Sequence, residues 1–190
     1  MQDFEEAKRV FLATIRRLAP TARLLSGLGE TLFRLNQFDE AEKRLREAIE
    51  LEPASVAPHL VLAKLYHAIG DRDKFGAAAS QAIALDPQNY QTCFYYGLWL
   101  LEYGGKTAQG AAYIRKSIEL RPRFGEGLKM WGRILSQEGR WEEAARCYER
   151  AIALDPDDAQ SVFLLSRAYR KLGEREKAEQ AIARYRTLNR

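Results

Sequence analysis

The chain has 190 residues, 46% of them hydrophobic and 29% charged, with 30 basic against 26 acidic side chains and a formal net charge of +4. So mild a balance describes a mixed-charge surface and requires neither a nucleic acid nor a membrane as partner. The longest apolar runs fall far short of the roughly 20 residues that a membrane-spanning helix needs.

The first residues, M-Q-D-F-E-E, place acids where a secretory signal would carry lysines. Cys93 and Cys147 stand inside apolar helical stripes far apart in sequence. They are expected to be two buried thiols in a reducing compartment, which points to a cytoplasmic protein.

Asp3–Leu18 carries Phe4, Ala7, Phe11 and Ile15 on one helical face, and Pro20 ends it. Its F-E-E-A aligns with F-D-E-A at Phe38–Ala41, so residues 1–20 read as the second helix of a repeat whose first helix is absent. A full unit follows over 22–55, turning at Asn36, and another over 56–89, turning at Gly70. In this second unit Phe75 and Ala79 exchange the small and large residues that other units carry, a swap that conserves volume across a helix contact.

The unit 90–124 has one extra residue at Gly104-Gly105, in its turn, and a first helix that is apolar nearly all round. Units 125–158 and 159–190 turn at Gly139 and Gly173. About eleven helices result, and residues 21–190 read as one uninterrupted array of five units.

The unit endings establish the period. E-A-I-E-L-E-P at Glu47–Pro53 returns as Q-A-I-A-L-D-P, K-S-I-E-L-R-P and R-A-I-A-L-D-P, with prolines 34, 35 and 34 residues apart. A fixed step of that size belongs to a helical solenoid. Trp131, Gly132, Leu135, Ala144, Tyr148, Ala151 and Pro156 of the fourth unit, with Leu28, Gly29, Leu32, Ala41, Leu45, Ala48 and Pro53 of the first, carry a closer resemblance. The chain resembles the tetratricopeptide repeat (TPR) family, which implies an all-α, right-handed α-solenoid of helix–turn–helix TPR units.

Catalytic and metal readings fail on spacing. His59 and His67 lie eight residues apart on one expected helix, so their backbones are roughly 12 Å apart, too far to share a metal. His59 falls on the packing stripe and reads as a core or edge histidine. Gly104–Thr107 ends like a phosphate-binding loop, but Leu100 stands where the motif needs glycine. Asp155, Asp157 and Asp158 lack the glycine and closing glutamate of a calcium loop and suit helix capping instead. No cofactor and no enzymatic activity is expected.

The TPR resemblance implies a concave groove lined by positions 2, 5, 9, 12 and 13 of each unit. Mapped onto this chain, those positions hold eight basic and three acidic residues, leaving 22 basic against 23 acidic elsewhere. Within the groove the expected peptide-binding residues are Lys64, Phe94, Leu98, Lys129, Arg133, Phe163, Arg167 and Arg170. Lys129 and Arg133 occupy positions 5 and 9, where TPR co-chaperones that grip a C-terminal carboxylate place a basic pair. The pattern departs from that clamp at Glu30, Lys64 and Leu98, where it uses asparagines at position 9.

The resemblance thus implies a noncatalytic scaffold or adaptor that binds an acidic or carboxylate-ended peptide. A regulatory TPR array of a larger enzyme and an RNA-binding helical repeat remain open beside it. The groove has no regular polar pair repeated per unit, which argues against a base code.

The ends carry a last expectation. Phe4, Val10, Phe11, Leu12 and Ile15 form a broad apolar surface on the first helix, suited either to an upstream continuation of the array or to self-association. At the other end Tyr185, flanked by Arg184, Arg186 and Arg190, stands where alanine occurs in other units and folds over the last stacking surface.

Overall fold

The computed structural model describes residues 2–189, of which residue 2 is placed in its backbone alone. Among the described residues there are eleven helices and no strand. They are α1 (Gln2–Arg17), α2 (Ala22–Arg34), α3 (Phe38–Leu51), α4 (Val56–Ile69), α5 (Arg72–Leu85) and α6 (Tyr90–Glu102), followed by α7 (Thr107–Leu120), α8 (Gly125–Gln137), α9 (Trp141–Leu154), α10 (Ala159–Lys171) and α11 (Arg175–Leu188).

The all-α helix–turn–helix architecture is therefore the one the period implies. Asn36, Gly70, Gly105, Gly139 and Gly173 all have positive φ, between 59° and 78°. These are the turn residues expected from sequence, and four of the five are the residue that reaches this region without a Cβ penalty.

The chain divides into two compact units, Met1–Lys106 and Thr107–Arg190. The division falls just after the Gly104-Gly105 turn of the third repeat.

In the N-terminal unit, α2 with α3 and α4 with α5 form antiparallel hairpins, α1 lies on α2, and α6 lies on α5. The hairpin contact is close because Gly29 faces Leu45: a Cβ at Gly29 would stand 2.6 Å from Leu45 Cγ. Ala41, Leu45 and Ala48 are fully buried there. In the second hairpin Phe75 and Ala79 are both fully buried, so the large and small residues have traded places without leaving the core.

The N-terminal helix is less bare than its sequence suggests. The Phe11 ring lies so close to Gly27 that a Cβ there would meet it at 2.7 Å. Ile15 packs on the cluster of Ala22, Leu25 and Ala48, and Lys8 Nζ donates to Gln37 Oε1 at 2.6 Å. What stays open on this helix is narrower: Phe4 and Val10 are 40% and 60% exposed.

In the C-terminal unit α7 packs on α8, and α8 with α9 and α10 with α11 form hairpins. Its core holds Leu135, Ala144, Tyr148, Ile152, Val162 and Leu165. Gly132 admits the Tyr148 ring, since a Cβ would approach Tyr148 Cε1 to 2.6 Å. Burying an aromatic ring of this size contributes about 1.5–3 kcal/mol. Tyr185 packs against the ring of Phe163, centroids 5.2 Å apart. Arg190, expected beside it, lies outside the described residues.

Among the described residues neither Cys93 nor Cys147 forms a disulfide, and both are buried. No helix among the described residues is long and apolar enough to cross a membrane.

Candidate functional site

In the N-terminal unit, Lys64 Nζ lies 3.7 Å from a Glu30 carboxylate oxygen, the two residues holding position 9 of consecutive repeats. Only 13% of the Lys64 side chain is exposed. Phe94 and Leu98 are buried, and Phe94 meets Tyr95 edge to face at 5.2 Å. These two side chains serve the packing of their unit and present little surface. His59 is half-buried; burial pushes its imidazole below the ordinary range, against a hydrogen bond to the Pro53 carbonyl that favours the charged form. It is the edge histidine expected. His67 faces Glu102 at 3.4 Å and the Phe75 ring at 5.1 Å.

The C-terminal unit differs. Lys129, at position 5, donates to Asp158 Oδ2 at 2.9 Å. Asp158 is also the N-cap of α10: Oδ1 accepts from the Ser161 backbone N–H at 3.2 Å, and Oδ2 accepts from Ser161 Oγ at 2.6 Å. Burial alone would push this carboxyl up, but the hydrogen bonds from Ser161 and Lys129 outweigh it and hold the carboxyl below its usual range. Lys129 is thus engaged inside the fold. Asp158 is the capping residue that the sequence implied.

Arg133 and Arg167 are exposed, and among the described residues neither forms an ion pair. They occupy position 9 of consecutive repeats, on α8 and α10, and line one cavity of about 350 Å³. Its remaining walls are Ser136 and Gln137 from α8, Trp141 and Tyr148 from α9, and Leu164 from α10. Among the described residues no carboxylate lines it.

Ser136 Oγ donates to the Gly132 carbonyl at 2.8 Å and lies 3.1 Å from Tyr148 Oη. A hydroxyl has one proton, so with Ser136 spent on Gly132, the Tyr148 hydroxyl is the donor in the second bond. Burial pushes the Tyr148 hydroxyl up in pKa, and the charges of Arg133 and Arg167 draw it back. Both guanidinium charges therefore bear on the same oxygen. Lys171 Nζ lies 5.9 Å from the centre of the Trp141 ring.

Phe163 is 39% exposed with one side against Tyr185. Arg170 lies in a separate cavity of about 610 Å³ with Arg175, Glu179, Ile182 and Arg186.

Sequence reasoning thus named Arg133 and Arg167 but grouped Arg133 with Lys129. The structure pairs Lys129 with Asp158 and gathers the two arginines instead. Their separation, one repeat step at the same position, was the available signal. Trp141, Tyr148 and Leu164 were missed as walls because they do not fall on the groove positions.

An array of helical hairpins with an unpaired cationic cavity defines a helical-repeat scaffold. A family model for the tetratricopeptide repeat matches residues 1–41, 26–90 and 129–189, and the chain belongs to that family.

The TPR repeat-containing protein YpiA of Bacillus subtilis is 24% identical over 162 residues, covering 85% of this chain and 38% of YpiA. The mitochondrial import receptor subunit TOM70 of Homo sapiens is 27% identical over 134 residues, 69% of this chain and 22% of the receptor. The chain thus spans well under half the length of either relative. Among solved structures, a chain of the APC/C hetero-tetramer Cut9-Hcn1 superposes with a TM-score of 0.84 at 17% identity, covering 97% of this chain and 36% of that one. YrrB, described as a TPR protein with an unusual peptide-binding site, gives 0.66 at 18% identity over 96% and 93% of the two chains. These structural likenesses show the fold.

Proposed function

We propose that the chain is a noncatalytic, cytoplasmic interaction scaffold whose C-terminal unit binds an acidic peptide segment of another protein. The observation that carries this reading is the pair Arg133 and Arg167, two cations without a carboxylate partner among the described residues, on either side of one cavity. Elsewhere the groove cations Lys64 and Lys129 are neutralised within the fold. An acidic segment supplies what these two lack, and Leu164 and Trp141 beside them add apolar burial. The description of YrrB as peptide-binding supports the class of ligand.

A glutamate-rich dodecapeptide titrated against the chain tests the reading. Binding should be present at low salt and fall steeply between about 50 and 200 mM salt, because the contacts are exposed charges. Absence of binding at low salt overturns it.

The short coverage of longer relatives supports a second reading, in which the chain is the regulatory array of a larger protein. Self-association through α1 belongs to the same proposal and rests on the exposed Phe4 and Val10. Sedimentation at micromolar concentration, with Phe4→Glu beside the wild type, decides that part: a strictly monomeric wild type removes it.

A further inference from the structure

The cavity between Arg133 and Arg167 has a charge and a hydrogen-bonding character more specific than a general affinity for acids. Among the described residues it is lined by two guanidiniums and no carboxylate. A lone carboxylate is one negative charge with two oxygens, enough for a single fork-to-fork contact. It would leave the second guanidinium uncompensated in a partly enclosed site. A phosphomonoester carries about −1.5 to −2 charges and three acceptor oxygens, enough for both forks at once.

The cavity floor points the same way. Both hydroxyl protons are consumed internally, Tyr148 donating to Ser136 and Ser136 to Gly132. Tyr148 is only 1% exposed, so the charged head group must be held by the arginines. The volume of about 350 Å³ lies at the small-ligand end of binding cavities, generally about 300–1,000 Å³. It exceeds what an anionic head group fills. The Trp141 ring and Leu164 line the remainder and suit an apolar or aromatic body.

Resting on the peptide-binding reading above, we propose that this cavity is a site for a phosphorylated side chain of the partner peptide, with the phosphate between Arg133 and Arg167 and its aromatic body, as in phosphotyrosine, against Trp141 and Leu164.

Phenyl phosphate and phenylacetate are the probes, titrated into the full chain while the indole N–H resonance of Trp141 is followed by NMR. Phenyl phosphate should bind at least tenfold tighter than phenylacetate at pH 7.5. That advantage should shrink as pH falls through about 6, where the phosphate loses its second charge; phenylacetate affinity should stay flat there. Arg133→Gln and Arg167→Gln should each weaken phenyl phosphate at least fivefold. O-phosphoserine binding as tightly as phenyl phosphate would keep the phosphate site and remove the aromatic part.

Equal affinity for the two aromatic probes, a flat pH profile for phenyl phosphate, or no binding of either at millimolar concentration overturns the proposal. So does a 5′-phosphorylated oligonucleotide that binds tenfold tighter than a phosphotyrosine peptide. The peptide reading fails separately: the unphosphorylated glutamate peptide would then not bind at all, whatever phenyl phosphate does.

Discussion

Position 9 of the first two repeats, in the N-terminal unit, carries Glu30 and Lys64, and that of the last two, in the C-terminal unit, carries Arg133 and Arg167. The first two stand 3.7 Å apart and neutralise each other. The second two repel and lack a carboxylate partner among the described residues. Position 12 completes the contrast. In the first repeat it is Phe33, whose ring packs against Phe38 with centroids 6.2 Å apart. In the fourth it is Ser136, on the wall of the open cavity. One helical scaffold therefore closes a groove position in one unit and leaves it open in the other by changing two side chains per repeat. Packing residues fix the backbone in both, and the exposed stripe sets what each can bind.

The largest effect should come from reversing the open pair. Arg133→Glu with Arg167→Glu should weaken the glutamate-rich peptide by about a hundredfold, roughly 2.7 kcal/mol. Its melting temperature should stay within about 2 °C, because exposed substitutions outside the core change stability little. Calorimetric titration and a thermal melt of the same sample check both halves. Unchanged affinity places the peptide elsewhere and ends the comparison.

Ser136→Phe tests whether space matters as well as charge, by importing the N-terminal unit's choice at position 12. The added ring should fill the cavity beside Trp141 and reduce peptide affinity about tenfold, or roughly 1.4 kcal/mol, with both arginines still present. If affinity holds while the arginine reversal abolishes it, the cations act as a flat patch and the cavity is incidental.

Much of this contrast is visible in the sequence, but not all of it. The period of 34 residues, the turns at Asn36, Gly70, Gly139 and Gly173, and the small residues Ala41 and Ala144 specify hairpins before any coordinates exist. They are legible because each is a local rule: a backbone conformation or a side-chain volume. Which cations are free is not local. Lys129 and Arg133 look equivalent on one helix, and only the approach of Asp158 from the next repeat's cap engages one and leaves the other. Phe94 and Leu98 likewise sit on the groove stripe by count yet are buried, because α6 is apolar nearly all round and inward and outward faces cannot be told apart from pattern alone.

Asp158→Ala sharpens the account of Lys129. Loss of the N-cap should cost about 1 kcal/mol of stability. The released Lys129 should strengthen peptide binding two- to threefold by adding a third free cation. The native carboxyl is held below its ordinary value, so its contribution is present above the unfolded pKa of about 3.9 and is lost as pH falls through the lower folded value. Urea denaturation of the variant and wild type should therefore differ at pH 7 and converge as pH falls below the ordinary aspartate range. A gap that persists in acid would mean the cap acts through something other than its charge.

The smallest effect is expected at the closed position. Glu30→Gln removes the partner of Lys64 without changing the shape of the groove. The Glu30 side chain is 45% exposed, and a pair of that kind contributes only about 0–1 kcal/mol once solvent screening and side-chain ordering are counted. Stability should fall by less than about 0.5 kcal/mol. Peptide affinity should stay within twofold, because Phe33 and Phe38 still occupy the ground that Ser136 leaves open in the C-terminal unit. Denaturant melts and the same peptide titration provide the measurement. An affinity gain near tenfold would show that freeing one cation suffices to make a site, so that charge alone, rather than charge beside an open cavity, separates the two units.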